Sequence, residues 1–192
     1  MIGLYLLFSY LIGNFMTAFF VGKIYGVNLQ EERSKNLGAR NAGSVLGKKA
    51  FFMTFLGDTM KGALVVSLGR LWHLEEWVIV SGAACVIAGH LYPFWLKCKG
   101  GKGVATFIGV GLALSPSLFL WMIAGTAAVL ICTRSLTLGM VGGFIFYVGA
   151  IIQSGQLEAY ALLIIAIVCM IIRHMSNIKE SWKRGKKRDV LV

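Results

Sequence analysis

Seven apolar segments, separated by short polar loops, dominate this sequence and constrain its fold most. They cover about residues 2–22, 50–69, 77–95, 103–115, 117–132, 136–153 and 157–172. Hydrophobic residues make up 57% of the 192 positions and charged residues only 14%, whereas a soluble domain carries roughly a quarter charged residues. Since a helix of ~20 apolar residues crosses a bilayer, the pattern predicts an all-α integral membrane protein with about seven transmembrane helices. We expect residues 1–192 to form a single polytopic membrane domain.

The basic residues indicate how these helices are oriented. If successive loops alternate between the two sides of the membrane, 17 of the 19 Lys and Arg residues fall on one side. Only Arg70 falls on the other side, and Lys61 lies within the second segment. The positive-inside rule therefore predicts an N-terminus outside and a cytoplasmic C-terminus. The net charge of +11 then reflects loops that face anionic lipid or anionic substrates, and no nucleic-acid partner is expected.

The stretch Gly89–Thr106 joins the third and fourth segments and reads GHLYPFWLKCKGGKGVAT. Gly100, Gly101 and Gly103 surround Lys102 at the start of a predicted helix. Glycines let an anion approach the backbone closely, and the N–H groups at a helix start attract phosphate together with a lysine. The loop lacks the spacing of a Walker motif. The alternative is a flexible loop with lysines that reach the membrane surface. The position of Lys102 between glycines at a helix start favours phosphate binding.

Another polar loop, residues 34–44, lies earlier in the chain and is called here the first polar loop. It is predicted on the same side of the membrane and is rich in Asn, Gly, Ser and Arg. These are ordinary turn residues, so a solvated turn is one interpretation. The other is a second anion site in which Arg40 donates a pair of hydrogen bonds.

Three ionisable residues lie within or at the end of apolar segments. Asp58 and Lys61 stand three residues apart on one face of the second predicted helix, where an ion pair that fixes helix packing is favoured over a catalytic role. His90 adjoins the glycine loop at the end of the third segment. An interfacial histidine and a functional one are equally good interpretations of it.

The cytoplasmic loops hold few acidic residues, and these are not clustered, so a magnesium–nucleotide site is not indicated. The four cysteines show neither Cys-x-x-Cys pairing nor metal spacing with histidine. No His-x-x-x-x-Asp pattern, the His–Asp pair of large glycerolipid acyltransferases, follows any of the three histidines. We therefore expect neither a metal nor a cofactor.

These motifs resemble those of the bacterial acyl-phosphate-dependent glycerol-3-phosphate acyltransferases, small polytopic enzymes of phospholipid synthesis. The central match consists of Gly89-His90, Pro93 and the run Lys99–Thr106. Weaker matches along nearly the whole chain are Ser34–Asn41, Gly57–Gly62, Thr133–Leu136, Arg173-His174 and Asn177. The chain departs from the family pattern at Lys35 and Arg40, where the family has glycine and threonine. It also departs at Ser44 and Glu180, where the family has arginine.

The resemblance implies transfer of a fatty acyl group from acyl phosphate to the 1-hydroxyl of glycerol 3-phosphate. The products are lysophosphatidic acid and phosphate, and the expected place is the cytoplasmic face of the bacterial inner membrane. The implied catalytic residues are His90, Ser34, Lys102 and Asn177. The implied substrate-binding residues are Asn36, Gly38, Arg40, Asn41, Lys99, Gly100, Gly101, Gly103, Thr106 and Ser135. The implied partners are the two substrates and membrane lipid, with no cofactor and no metal.

The resemblance also suggests a division of labour within the site. Lys102, with the amides of Gly101 and Gly103, is expected to hold one phosphate, and the first polar loop is expected to hold the other. Ser135 and Asn177 are expected to complete the wall of the site. The base that takes the hydroxyl proton is either His90 or a phosphoryl oxygen of acyl phosphate.

Two other function classes fit parts of the sequence. A transporter for a phosphorylated small anion would place polar breaks near the middle of the bilayer, usually with internal repeats, but the polar motifs here cluster at one surface. A membrane scaffold anchored by its basic tail would leave the glycine loop unexplained. The enzyme is the interpretation that uses most of the polar residues.

Overall fold

The computed structural model describes residues 1–189, and the side chains of residues 1–184. Within this range the chain forms nine α-helices and one short 3₁₀ turn at Phe94–Leu96. The helices are α1 (Ile2–Asn14), α2 (Thr17–Ile24), α3 (Ala39–Leu46), α4 (Lys48–Leu71), α5 (Glu76–Leu91), α6 (Val104–Leu114), α7 (Pro116–Thr133), α8 (Leu136–Gln153) and α9 (Leu157–Asp189). The all-α prediction is confirmed. The side chains of Lys186, Lys187 and Arg188, which entered the charge count above, lie outside the described residues.

Six helical segments of the described chain are long and apolar enough to cross a membrane. They are Ile2–Ile24, Lys48–Leu71, Glu76–Leu96, Pro116–Thr133, Leu136–Gln153 and Leu157–Arg184. The predicted fourth span corresponds to α6, which has only 11 residues. At 1.5 Å per residue it is about 17 Å long, roughly half the thickness of the hydrocarbon core. Six full-length spans are therefore present among residues 1–189, and the predicted count of seven is not confirmed.

The first span is not the continuous helix that residues 2–22 predict. It breaks between Asn14 and Thr17, where Phe15 and Met16 adopt extended backbone angles. The Asn14 side chain accepts a hydrogen bond from the Phe94 N–H at 2.9 Å, and the Trp95 indole donates to the Asn14 carbonyl at 3.0 Å. Because a helix end leaves carbonyl groups without intrahelical partners, this break creates acceptors inside the protein that other residues must satisfy.

The helices group into two compact units, Met1–Leu114 and a second that begins at Ser115. In the first unit, glycines allow helices to approach closely. A Cβ at Gly62 would overlap the Thr106 carbonyl oxygen, and a Cβ at Gly89 would overlap the carbonyl oxygen of Tyr10. Small residues at such crossings are the usual means of packing helices in a membrane. These contacts hold α6 against α4 and α1 against α5.

In the second unit, α7 and α8 pack against each other through a similar glycine contact, since a Cβ at Gly125 would lie 2.8 Å from the Gly142 carbonyl oxygen. The turn between them is short. Arg134 ends α7 in the left-handed region at φ 52°, and the Ser135 hydroxyl accepts a hydrogen bond from the Leu138 N–H at 3.4 Å. Ser135 thus acts as the N-cap of α8.

Candidate functional site

The glycine loop, residues 97–103, folds back onto the end of α5. The Gly100 N–H donates to the Leu91 carbonyl at 3.2 Å, and the Gly101 N–H donates to the His90 carbonyl at 3.0 Å. These two bonds satisfy carbonyls that the end of α5 leaves open. The Gly101 amide thus has a protein acceptor in this structure, and its binding of phosphate stays a prediction.

Gly101 is the point at which three parts of the first unit meet. A Cβ on this residue would overlap the Nε2 atom of His90 and would lie 2.7 Å from the Leu37 carbonyl oxygen. His90 comes from α5, Leu37 from the first polar loop and Gly101 from the glycine loop. The absence of a side chain at position 101 therefore brings both predicted phosphate loops and the histidine together.

Asn41 organises the first polar loop from its buried position on α3. Its Oδ1 accepts hydrogen bonds from the Ser34 N–H at 3.2 Å and the Ser34 hydroxyl at 3.0 Å. Its Nδ2 donates to the carbonyls of Leu29 at 3.0 Å and Glu32 at 3.3 Å. Both N–H bonds of the amide are thus used within the protein. Asn41 shapes the loop in this structure, and direct contact with a substrate stays a prediction.

The first polar loop turns sharply before α3. Lys35, at a position where the motif predicts glycine, lies in the left-handed region at φ 55°. The Gly38 N–H donates to the Asn36 carbonyl at 3.1 Å, and a Cβ at Gly38 would lie 2.9 Å from the Asn36 side-chain nitrogen. The loop is therefore tight at both places where the motif predicts glycine.

Two helices begin at these loops. Gly38 is the N-cap of α3 and has no side chain that could accept a hydrogen bond from the first turn. Gly103, at φ 84°, directly precedes α6. Arg40 is exposed in the first turn of α3, and Lys102 lies two residues before α6. A cation at the positive end of a helix is unfavourable unless an anion joins it. Each loop thus places a cation near a helix N-terminus, an arrangement that favours phosphate binding.

A buried ionic cluster lies beside His90. The Lys61 ammonium is 3.0 Å from Asp58 Oδ1 and 2.7 Å from His90 Nδ1. The same ammonium donates to the carbonyls of Gly13 at 3.2 Å and Phe15 at 2.8 Å. The geometry confirms the Asp58–Lys61 pair that the spacing predicts. The sequence did not reveal that His90 joins the pair, because the contact joins α4 to α5 between residues 29 positions apart, and spacing along the chain does not show such a contact.

Charges in this cluster match the ends of the broken span. Lys61 belongs to α4, and its ammonium lies at the C-terminal end of α1, where a helix is electronegative. Asp58 accepts a hydrogen bond from the Thr17 hydroxyl at 3.0 Å, at the electropositive start of α2. Asp58 and Lys61 are 1% and 5% exposed, so neither charge is shielded by water. The pair therefore stabilises the break in the first span.

The remaining predicted residues are placed as follows. Lys102 is partly buried, whereas Lys99 is exposed and its carbonyl accepts a hydrogen bond from Gln30 at 3.4 Å. Thr106 is fully buried, and its hydroxyl has no hydrogen-bond partner among the described residues. Ser135 and Asn177 belong to the second unit. Their parts in the site, like that of Thr106, stay predictions.

Among residues 1–184, no group of three or more His, Cys, Asp or Glu side chains is placed to hold a metal ion. The four cysteines are free thiols. The polar atoms at the meeting point of the two loops are amides, hydroxyls, cations and one imidazole, a set suited to anions.

A family model described as glycerol-3-phosphate acyltransferase matches residues 3–184 of this chain. Glycerol-3-phosphate acyltransferase 1 of Bacillus cereus (strain ATCC 14579) is 49% identical over 107 residues, which are 55% of this chain. The chain matches 59% of that relative's length. Glycerol-3-phosphate acyltransferase 2 of Bacillus cereus (strain ATCC 10987) is 37% identical over 182 residues, 93% of this chain and 91% of the relative.

A solved structure resembles the whole fold. The crystal structure of PlsY (YgiH), described as an integral membrane glycerol 3-phosphate acyltransferase in its glycerol 3-phosphate form, superposes with a TM-score of 0.85. The two sequences are 28% identical, and the match covers 96% of this chain and 93% of the other.

Proposed function

The chain belongs to the glycerol-3-phosphate acyltransferase family, and from this premise we propose that it acylates glycerol 3-phosphate. The acyl group comes from acyl phosphate and is transferred to the 1-hydroxyl, which yields lysophosphatidic acid and inorganic phosphate. The observation that carries this proposal is the meeting of the two loops at Gly101. Both substrates carry phosphate, so a site for this reaction needs two adjacent anion-binding loops.

Lys102 and the start of α6 hold one phosphate in this proposal, and Ser34 and Arg40 at the start of α3 hold the other. The two helix starts supply N–H groups, and the two cations neutralise charge. The assignment uses the N–H groups of the first turn of α6 in place of the Gly101 amide, which donates to the His90 carbonyl. Asn36 and Asn41 support the shape of the first loop.

For this reaction the protein needs mainly to position the two substrates and to neutralise negative charge. Acyl phosphate is a mixed anhydride with a good leaving group, so the carbonyl carbon is already activated. The 1-hydroxyl oxygen bonds to this carbon, the bond from the carbon to the phosphate oxygen breaks, and the hydroxyl proton leaves to a base. Positioning the two substrates contributes most of the rate, and cations near the anhydride oxygens stabilise the developing charge. His90 and the phosphoryl oxygen are the two candidate bases.

The site belongs at the cytoplasmic face of the bacterial inner membrane in this proposal, with the N-terminus outside and the C-terminus inside. The bias of basic residues to one set of loops supports this orientation. It requires α6 to make the seventh crossing together with the glycine loop, since α6 alone is too short. Irregular backbone at that depth is stable only where it lines a polar cavity, and the buried Gly100 and Gly101 fit that condition.

The test uses purified full-length protein in detergent with acyl phosphate and glycerol 3-phosphate. We expect release of inorganic phosphate and formation of lysophosphatidic acid without added nucleotide or metal, and no release when either substrate is omitted. Uptake of glycerol 3-phosphate into proteoliposomes without phosphate release would instead favour a transporter and would overturn the proposal.

A further inference from the structure

The Lys61 ammonium has more acceptors around it than it has protons. Four atoms lie within hydrogen-bond distance: two carbonyl oxygens at 3.2 and 2.8 Å, Asp58 Oδ1 at 3.0 Å and His90 Nδ1 at 2.7 Å. The carbonyl oxygens cannot donate, and neither can an ionised carboxylate. A charged ammonium with three donors satisfies this set better than a neutral amine with two.

This arrangement fixes the state of the His90 ring. An ammonium has no lone pair, so the nitrogen 2.7 Å from it must accept the hydrogen bond. Nδ1 of His90 is therefore unprotonated, and the neutral ring carries its proton on Nε2. Asp58 does not compete for Nδ1, because its Oδ1 lies 3.7 Å away, beyond hydrogen-bond distance.

We infer that Lys61 is a positioning residue for the proposed acyl transfer, because it holds His90 as the neutral tautomer with the proton on Nε2. Nε2 is the ring atom that lies against Gly101, where the two loops meet. His90 thus presents an N–H donor to the glycine loop, and neither ring nitrogen offers a lone pair for the hydroxyl proton. The catalytic role of Lys61 rests on the proposed function. The tautomer of His90 does not depend on that function.

The break in the first span helps to keep Lys61 as a charged ammonium. The carbonyls of Gly13 and Phe15 are freed by the break and accept hydrogen bonds from the ammonium at 3.2 and 2.8 Å. An unbroken helix would use its carbonyls internally and would leave the buried cation with Asp58 and His90 as its acceptors. Three elements of the first unit, α1, α4 and α5, therefore cooperate to set one ring.

The experiment reads the tautomer by nitrogen-15 NMR of the full-length protein with labelled histidine, in lipid nanodiscs and without substrates. The protein has three histidines, and a His90→Gln variant identifies the signals of His90 by their loss. We expect the wild-type spectrum to show a protonated Nε2 and an unprotonated Nδ1 at pH 7. A protonated Nδ1, in a neutral or a charged ring, would overturn the inference.

Two variants separate the tautomer from the stability of the cluster. Lys61→Met removes the donor to Nδ1, whereas Thr17→Val removes a hydrogen bond to Asp58 and leaves the Lys61–His90 contact in place. A hydrogen bond from a charged donor biases the tautomer ratio roughly tenfold or more. We expect Lys61→Met to shift the ratio toward Nδ1–H by that factor and to lower kcat more than it raises KM. Thr17→Val should keep the wild-type ratio.

An unchanged ratio in folded Lys61→Met would refute the role of Lys61. If Lys61→Met does not fold, the wild-type spectrum still decides the tautomer. Failure of the phosphate-release assay in the wild type would count against the proposed function alone, because the spectrum is recorded without substrates.

Discussion

Gly101 lies directly against the Nε2 edge of His90, so that a Cβ at position 101 would overlap this nitrogen. The Leu37 carbonyl oxygen would lie 2.7 Å from the same Cβ. The backbone angles of Gly101 do not lie in the left-handed region that favours glycine. Glycine is thus required here for space, since any side chain would push the two phosphate loops apart.

Gly101→Ala should therefore reduce the proposed acyltransferase activity while the membrane fold persists. Displacement of a positioning element by about 1 Å costs on the order of 100-fold in rate. We expect kcat/KM for glycerol 3-phosphate to fall by about that factor, measured as phosphate release. Gly149→Ala is the matched control, because a Cβ at Gly149 in α8 meets no atom within 4 Å. Wild-type kcat/KM in Gly101→Ala would contradict the convergence of the loops as the basis of activity.

The membrane class and most helix positions follow from the sequence because a long apolar helix has few alternative structures in a bilayer. The motif at Lys99–Thr106 likewise predicts a loop followed by a helix, and α6 begins at Val104. The predicted segment 103–115 also matches α6, Val104–Leu114, and what the structure does not confirm is the count of so short a helix as a full span. Its apolar residues continue almost to the next segment, and only Pro116 marks where α7 begins.

The contacts within the site could not be predicted in the same way. Nothing between Gly13 and Thr17 marks a helix break as strongly as proline does, and the break is stabilised by Lys61, which is remote in sequence. The hydrogen bond between the Gly101 amide and His90 also depends on how the loop folds back. Spacing along a chain indicates which residues share a loop, but it does not reveal which donors the protein uses itself.

Lys102→Met should abolish most of the proposed activity. This change removes the cation that precedes α6 and keeps a side chain of similar length. Loss of a group that stabilises developing negative charge costs about 100- to 1,000-fold in kcat. Lys97→Met is the control, because Lys97 is an exposed cation of the same loop that has no assigned role. Phosphate release in Lys102→Met within a few-fold of wild type would remove Lys102 from the site.

Asp58→Asn should strongly destabilise the protein. The change leaves the Lys61 ammonium buried without its carboxylate, and breaking a buried pair from one side costs about 3–5 kcal/mol. We expect a lower midpoint of thermal unfolding in detergent. Glu180→Gln is the control, since the Glu180–Arg184 pair on α9 is 60% and 77% exposed and contributes less than about 1 kcal/mol. Equal midpoints for the two variants would show that the Asp58–Lys61 pair does not stabilise the break.

Lys35 should accept glycine but not valine. Its φ of 55° lies in the left-handed region, which costs a residue with a Cβ about 1–2 kcal/mol and costs glycine nothing. Part of this gain is offset because glycine loses more backbone entropy on folding. We expect Lys35→Gly to keep wild-type kcat/KM and to match or exceed wild-type thermal stability, whereas Lys35→Val lowers both. Lys48→Gly, at the first position of helix α4, should not stabilise the protein, because its backbone is not left-handed and glycine there only loses more entropy on folding. A Lys35→Val variant as stable as Lys35→Gly would contradict the left-handed turn.

Asn41→Asp tests whether the first polar loop is set by a buried amide. The two side chains have nearly the same shape, but the carboxylate cannot donate to the carbonyls of Leu29 and Glu32. The Leu29 carbonyl loses its partner at a cost of about 1–3 kcal/mol, whereas the Glu32 carbonyl keeps the Lys35 N–H at 2.8 Å. The backbone around Leu29 should therefore move away from α3 and distort the loop, although the carboxylate still accepts both Ser34 hydrogen bonds. We expect KM for a phosphate-bearing substrate to rise at least tenfold and the unfolding midpoint to fall. Ser44→Ala removes a hydroxyl that donates only to the Asn41 backbone carbonyl, at 2.9 Å, and should change neither quantity. If Asn41→Asp unfolds early but keeps its KM, the loop does not bind substrate through Ser34, and the second phosphate must be held by Arg40 and the start of α3 alone.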